Sequence, residues 1–421
     1  MKRIIILLLV CFSLSFSGCA GIGFGKNISE IPLRFEGFGY SHMFLDDGFL
    51  VYSHKADRKF IAGSSETVIT YFNAGADKQW EFYDENYYVN AGCAAQLPDG
   101  TVVILVMEGE IYKLIAINKD GGQAWETQFS EGREIKAVLY DKGQILVVGS
   151  CYSILPPFGE YQNNLFFINI SPGGEMAEPV WVSGGIVSSL YNALAFDEGG
   201  YILHGRGDIG KFLGDSCFIA RFSEDFNIEW VYRLETDECT YTSGIATNGG
   251  RILLMGFIDW ESPSDIEYCF IRELDSDGKV VFDEKHENED VSSIAYLPGG
   301  RAAAVFYYTE ERVITKNTLR TYSADSRKTK KKDFDYDYAV ITPAGDNIIV
   351  IGERIEKNDT NTVLGMLSDL TGRKKDTAVT FYNKNLRSLY SKAYKAEDGK
   401  SGYNFFAFAD SEGNVYIESG G

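Results

Sequence analysis

Cations are scarce in this chain of 421 residues, where 40 Lys and Arg stand against 60 Asp and Glu for a formal charge of −20. Phosphate recognition needs a basic footprint, so a nucleic-acid partner is not expected. Histidine is rarer still: His42, His54, His204 and His286 are the only four. The seven cysteines include no Cys-x-x-Cys, so zinc is not expected, and no other full set of metal ligands is found. With Cys11 and Cys19 set aside, Cys93, Cys151, Cys217, Cys239 and Cys269 are an odd number and cannot all pair. No catalytic residues are expected, although a triad assembled in space stays open, because triads are recognised by geometry and not by order. Long apolar runs are also missing. Ile4–Phe16 is too short to span a bilayer comfortably as a permanent anchor.

Stretches of helical periodicity are absent too, and proline numbers only 9, while 26 Tyr and 28 Phe suit pleated surfaces. Against that background Trp80, Trp125, Trp181 and Trp230 recur 45, 56 and 49 residues apart, each shortly after a Gly- or Asp-rich segment. A second marker runs in step with them. Tight turns follow apolar segments at Asp46-Asp47-Gly48, Pro98-Asp99-Gly100, Asp141-Lys142-Gly143, Asp197-Glu198-Gly199-Gly200, Asn248-Gly249-Gly250, Pro298-Gly299-Gly300, Pro343-Ala344-Gly345 and Glu397-Asp398-Gly399. Each reads as a hairpin. The second copy is the clearest, with strands expected at Asn90–Leu97, Thr101–Met107, Ile111–Ile117 and Gln123–Phe129. Four short strands per repeat of about 40 to 50 residues predict an all-β fold, a β-propeller. Ile31–Phe35 reads as a fourth strand lacking its first three, and Leu389–Lys395, Asn404–Ala409 and Asn414–Glu418 as three strands lacking a fourth. The expected architecture is therefore eight four-stranded blades, with the ring closed by the N-terminal strand and seven blades as the alternative count.

Ahead of the repeats, Met1-Lys2-Arg3 is a basic start, Ile4–Phe16 is apolar and Ser17-Gly18-Cys19 follows. This is the pattern of a secretory signal. The end of it, Phe16-Ser17-Gly18-Cys19, resembles the bacterial lipobox, with Phe16 where Leu is usual. The resemblance implies that Cys19 is lipidated and becomes the mature N-terminus. The expected organisation is a signal peptide at 1–18, the lipidated cysteine and a Gly-rich tether at 19–30, and a single propeller domain at 31–421. The expected location is extracytoplasmic, with the membrane reached through the lipid anchor.

Within the repeats, Gly199-Gly200-Tyr201-Ile202-Leu203, Asp215–Phe222 and Phe226-Asn227-Ile228-Glu229-Trp230 resemble exported bacterial propeller repeats. Asp120-Gly121-Gly122-Gln123-Ala124-Trp125 is similar to the tryptophan-docking ending of the quinoprotein (PQQ-type) propellers. Val281-Phe282 and Asp333-Phe334 depart from it by lacking the tryptophan. The resemblance covers nearly the whole chain after Cys19 and implies a cofactor-free, non-catalytic member. Function is accordingly expected to be protein or glycan binding, or scaffolding, without catalysis. A carboxylate-based hydrolase or lyase with its site in the central channel is one alternative, and a purely structural envelope component another. Long connections at Ser150–Asn164, Gly205–Ser216, Gly256–Glu267 and Tyr307–Thr318 share one face and carry Tyr152, Phe158, Tyr161, Phe212, Trp260 and Tyr308 as the candidate binding surface. The basic run Arg327-Lys328-Thr329-Lys330-Lys331-Lys332 reads as a solvated turn. Asp275-Ser276-Asp277-Gly278 and Asp333–Asp337 read as acidic turns lacking a full set of calcium ligands.

Overall fold

The structure is a computed structural model that describes residues 28–30, 38–355, 375–394, 407–409 and 415–417, less 46–47, 55–66, 74–76, 85–86, 131–132, 156–159, 210–215, 235–239, 260–265, 288, 311–312, 325–327, 335–337 and 345–346. The signal and lipidation residues, Cys19 included, lie outside the described residues. All regular structure described is β, and no described helix is long and apolar enough to cross a membrane.

Strands follow one another as antiparallel meanders. Sheet I comprises Phe38–Leu45, Gly48–His54, Thr67–Asn73 and Lys78–Tyr83, and sheet II comprises Tyr88–Gln96, Val102–Glu108, Ile111–Ile117 and Gln123–Gln128. The four strands expected for the second copy are those of sheet II to within two residues at any end. Sheet III has seven strands: Arg133–Asp141, Gln144–Leu155, Glu160–Ile170, Val180–Ala195, Tyr201–Ile209, Ser216–Phe222 and Ile228–Arg233. Its 16-residue fourth strand ends one meander and begins the next, pairing Trp181 with Phe166 near its start and Ala195 with Tyr201 at its end. Sheet IV is Thr240–Asn248, Arg251–Asp259, Ile266–Leu274 and Val280–Glu287. Sheet V is Glu289–Leu297, Arg301–Glu310, Val313–Tyr322 and Thr329–Phe334, and sheet VI is Tyr338–Ala344, Asn347–Ile355, Lys375–Tyr382 and Ser388–Tyr394.

The hairpin turns form for the expected reason. Lys142 and Gly143 have φ of 49° and 80°, and Gly249 and Gly250 have 53° and 74°, the left-handed pairs that match the twist of a two-residue hairpin. Apolar residues then face apolar residues across successive sheets. One core lies between sheets I and II around Leu50, Trp80 and Ile104, and another between sheets IV and V around Met255, Ile271 and Phe306.

The chain ends differ from expectation. Ser388–Tyr394 completes sheet VI as its fourth strand and does not open a last blade. What remains is sheet VII, where Ala407–Ala409 pairs antiparallel with Val415–Ile417 and Ile28–Glu30 pairs with the latter in parallel. The segment expected to close the ring, Ile31–Phe35, lies outside the described residues.

The chain divides into two compact units, one of residues 1–34, 241–274 and 280–421 and the other of 35–240 and 275–279. In the second, the repeated tryptophans have a common contact. Trp125 Nε1 donates to the Pro172 carbonyl at 2.8 Å, and Trp230 Nε1 donates to that of Ser276 at 2.8 Å. Beneath each indole is a turn glycine of positive φ: a Cβ on Gly174 would stand 2.8 Å from the Trp125 ring, one on Gly278 2.7 Å from that of Trp230, and one on Gly121 2.8 Å from Trp80 Cβ. The acidic turn Asp275–Gly278 is thus a tryptophan dock. Trp181 is the exception. It is 48% exposed, and the turn equivalent to its dock has Phe226 at φ 62°, with that ring stacked 4.5 Å from Phe167.

Candidate functional site

At the seam of sheets IV and V the tryptophan is replaced. The outer strand Val280–Glu287 alternates, with Phe282, Glu284 and His286 partly covered and Val281, Asp283, Lys285 and Glu287 exposed. Period-two alternation thus puts one apolar and two ionisable groups in a row toward sheet V. Phe282 packs edge-on to Tyr322, ring centroids 5.4 Å apart. From sheet V, Arg320 reaches this row and lies 4.0 Å above the Phe306 ring, a cation–π contact.

Arg320 organises the cluster. Its Nη2 donates to both carboxylate oxygens of Glu289, and its Nη1 lies 2.7 Å from Nδ1 and 3.1 Å from Nε2 of His286. Carboxylates bracket the imidazole, with Glu289 at 3.3 Å from Nδ1 and Glu284 at 3.4 Å from Nε2. Arg320 is buried, at 4% side-chain exposure, and His286 is largely covered at 10%, whereas Glu289 and Glu284 keep 23% and 29% and form the rim. Below the rim, the second oxygen of Glu284, the Tyr322 hydroxyl and Arg320 Nε are buried, and the Tyr322 hydroxyl interacts with both Glu284 and Arg320. Beside them Tyr307 donates to Asp290.

The electrostatics follow from burial and from Arg320. Desolvation first, then the guanidinium, lower the proton affinity of His286 against the opposing pull of Glu284 and Glu289, so the imidazole is held neutral. Burial raises Asp290 against the hydrogen bonds from Tyr307 and from the Val291 amide. Cys269 pairs across the ladder with His286 and suggests a thiol–imidazole dyad. Burial, then Asp290 and Glu289, raise that thiol well above its ordinary range, the opposite of an activated nucleophile. Among the described residues no group of three or more His, Cys, Asp and Glu is placed to hold a metal ion. The arrangement is thus a neutral imidazole and a half-exposed carboxylate in contact, able to accept and pass a proton.

None of these residues was a sequence-level candidate except His286, noted only as one of four histidines. The signal was Glu284 and His286 on the inward row of a strand whose counterparts carry Trp80 and Phe82, or Trp230 and Tyr232. Of the expected aromatic face, Phe158, Phe212 and Trp260 lie outside the described residues. Tyr152 and Tyr161 belong to strands, opposite Asn163 and Ile154, because the ladder of Gln144–Leu155 with Glu160–Ile170 continues through residues expected to be loop. Tyr308 is likewise on a strand, 37% exposed, and pairs with Glu289 at the rim of the charged cluster. His204 is a fully buried histidine elsewhere in the fold. Its 3% exposure takes its pKa down to about 4 through desolvation alone, with Tyr191 edge-on at 5.1 Å.

No protein family and no curated protein matches the chain. Solved structures do. Prolyl oligopeptidase B from Galerina marginata, bound to a 35mer hydrolysis and macrocyclization substrate, aligns with a TM-score of 0.51 and 10% identity over 90% of this chain and 54% of that one. A prolyl endopeptidase from a study of inter-domain dynamics in catalysis and specificity gives 0.52 and 10% over the same shares. The Dos1 propeller gives 0.48 and 9%, over 75% of this chain and 79% of that one. This chain spans about half the length of the two prolyl peptidases. At these identities the likeness establishes the fold, an all-β fold with propeller neighbours. The expectation of a protein- or glycan-binding scaffold without catalysis is corrected at this point, because the structures matched over nine-tenths of the chain are peptide hydrolases.

Proposed function

We propose that this chain is a peptidase-like hydrolase, with peptides as its substrates. The observation that carries the reading is the match to prolyl peptidases over 90% of the chain. The charged seam supports it by holding proton acceptors at a rim. Amide hydrolysis adds water to a carbonyl and breaks the C–N bond, and the amine leaves with a proton. Glu284 and the neutral His286 beside it are the pair that would take the proton from water and return it to the amine. The test is cleavage of proline-containing and proline-free peptides by the purified full chain, followed by mass spectrometry. Cleavage that falls at least ~100-fold in a folded Glu284→Gln or His286→Gln variant is the expected result. Intact peptides, or cleavage unchanged in both variants, would end the reading.

The finer architecture is part of the same proposal. Counting sheet III as two meanders sharing a strand, the described sheets support eight blades, with Ile28–Glu30 on Val415–Ile417 as the join of the ring. The docked tryptophans support repeats of the quinoprotein type. Export and lipidation of Cys19 rest on the sequence Phe16-Ser17-Gly18-Cys19. On this reading the proposed hydrolase works outside the cytoplasm, held to a membrane.

A further inference from the structure

Positive charge is concentrated in one place. Lys328, Lys330, Lys331 and Lys332 lie on or beside Thr329–Phe334, the outer strand of sheet V, and all four are exposed. The patch continues onto the neighbouring sheet. Lys330 Nζ donates to Asn385 Oδ1 at 2.8 Å, in the turn of sheet VI that also exposes Lys384 and Arg387. Among the described residues none of these six cations has a carboxylate partner, whereas Lys78, Lys113, Lys136, Lys142 and Lys279 are each paired with one. The one acid on the strand, Asp333, accepts a hydrogen bond from Thr318 Oγ1 at 3.0 Å.

We propose that this patch is a docking surface for anionic lipid headgroups. The strand advances about 3.3 Å per residue and sends alternate side chains to its two faces, Lys330 toward Asn385 of sheet VI and Lys331 toward His286 of sheet IV, so its lysines spread along both sides of the outer edge, which suits an array of charges better than one small anion. A chain of −20 overall repels a polyanion at a distance. That repulsion is screened beyond about 8 Å in physiological salt, so the row acts only when the chain is already held close to a surface. The lipid proposed on Cys19 would hold it there, and to that extent the inference rests on the anchor reading. Docking through this edge would orient the anchored chain, turning the seam of sheets IV and V, whose His286 feels the Lys331 charge, toward the membrane plane.

The experiment is sedimentation of the full chain with vesicles of phosphatidylglycerol or of phosphatidylcholine, in the wild-type and Cys19→Ser forms. An attached lipid raises binding to both vesicle types, while the patch raises binding to phosphatidylglycerol alone, so the two readings fail separately. The expected result for the Cys19→Ser chain is a preference for phosphatidylglycerol of ~10-fold or more at low salt. In that same chain the preference disappears in K328Q/K330Q/K331Q/K332Q, shrinks in K384Q/R387Q and stands in the control K78Q/K119Q/K136Q. Equal binding to both vesicles overturns the proposal, as does a preference that survives the fourfold change. Capture by heparin without any vesicle preference overturns it in favour of a soluble polyanion. Aggregation of the fourfold variant with K384Q/R387Q unaffected also overturns it, since the lysines would then be guarding an open sheet edge.

Discussion

The seams that dock a tryptophan and the seam between sheets IV and V solve the same packing problem with opposite chemistry. At Trp125 and Trp230 an indole lies over a bare glycine backbone and spends its one donor on a turn carbonyl. At Phe282 the indole is gone, and the space toward sheet V is filled by Glu284, His286 and Arg320. A tryptophan dock keeps its charges at the margin, as Arg221 shows by sharing the Ser276 carbonyl with Trp230 while paired to Glu229, and its centre serves to fasten two sheets. A charged seam is weak evidence for stability, because desolvation offsets much of the Coulomb attraction, yet it keeps ionisable groups in fixed mutual positions. The difference teaches where to look for chemistry in a repeat protein: at the copy that has given up its structural signature.

The largest expected effect breaks the apolar side of the comparison. Gly174 has φ +90°, and a Cβ there would meet the Trp125 ring at 2.8 Å. Gly174→Val adds a β-branched residue in left-handed backbone to overpacking against the indole, together about 4 kcal/mol of lost stability in urea unfolding. Gly143 also has positive φ, +80°, but has nothing within 4 Å of its Cβ. Gly143→Val therefore costs only the backbone share, and equal losses at the two sites would show that docking contributes nothing.

On the charged side, Arg320→Ala leaves Glu289 and its neighbours without their cation. A loss of about 3 kcal/mol is expected, at the low end for a buried pair because Glu289 is partly exposed. The double change R320M/E289Q removes both charges and is expected within about 1 kcal/mol of the parent, measured the same way. His286 reports the same event. Burial and Arg320 hold its folded-state proton affinity below the unfolded value, so the unfolded chain takes up the proton first and stability falls as pH drops below about 6.5. In Arg320→Met the lowering from burial stays while that from the guanidinium is lost, so the His286 titration followed by NMR moves upward, which shrinks that acid loss. A titration that moves down or stays put would show that Arg320 does not control the imidazole.

Much of the fold was legible because it is local. Lys142-Gly143 and Gly249-Gly250 announce hairpins through backbone freedom, and the period of the tryptophans announces the repeat. The charged site was illegible because Glu284, Glu289 and Arg320 are separated by up to 36 residues and meet only through the seam of two sheets. Acidic residues are common on the surface of so acidic a chain, and Glu284 is marked as facing inward only when its strand is laid against the copies that carry Phe82 and Tyr232 at that place, while nothing local marks Glu289. The outer aromatic segments misled for a related reason: polar and aromatic residues past the core, such as Tyr152 and Tyr161, still carry ladder hydrogen bonds. Trp181 misled because a dock needs two partners, and only one of them, the tryptophan, is a conspicuous residue.

The smallest effect sharpens that last point. Trp125 and Trp181 occupy equivalent places in consecutive copies, one on a turn glycine and donating to Pro172, the other 48% exposed beside Phe166. Phenylalanine keeps an aromatic ring at either position and removes only the indole donor. Trp125→Phe should therefore lose one net hydrogen bond, about 1 kcal/mol, with part of that returned as water reaches the turn carbonyl. Trp181→Phe, which keeps the edge contact to Phe166 at 5.5 Å, should stay within about 0.5 kcal/mol of the parent, as exposed substitutions do. Equal losses in urea unfolding would mean that Trp181 is docked in solution and that Phe226 moves aside to receive it. Replacing Phe226 by Gly would then strengthen the contact rather than weaken the fold.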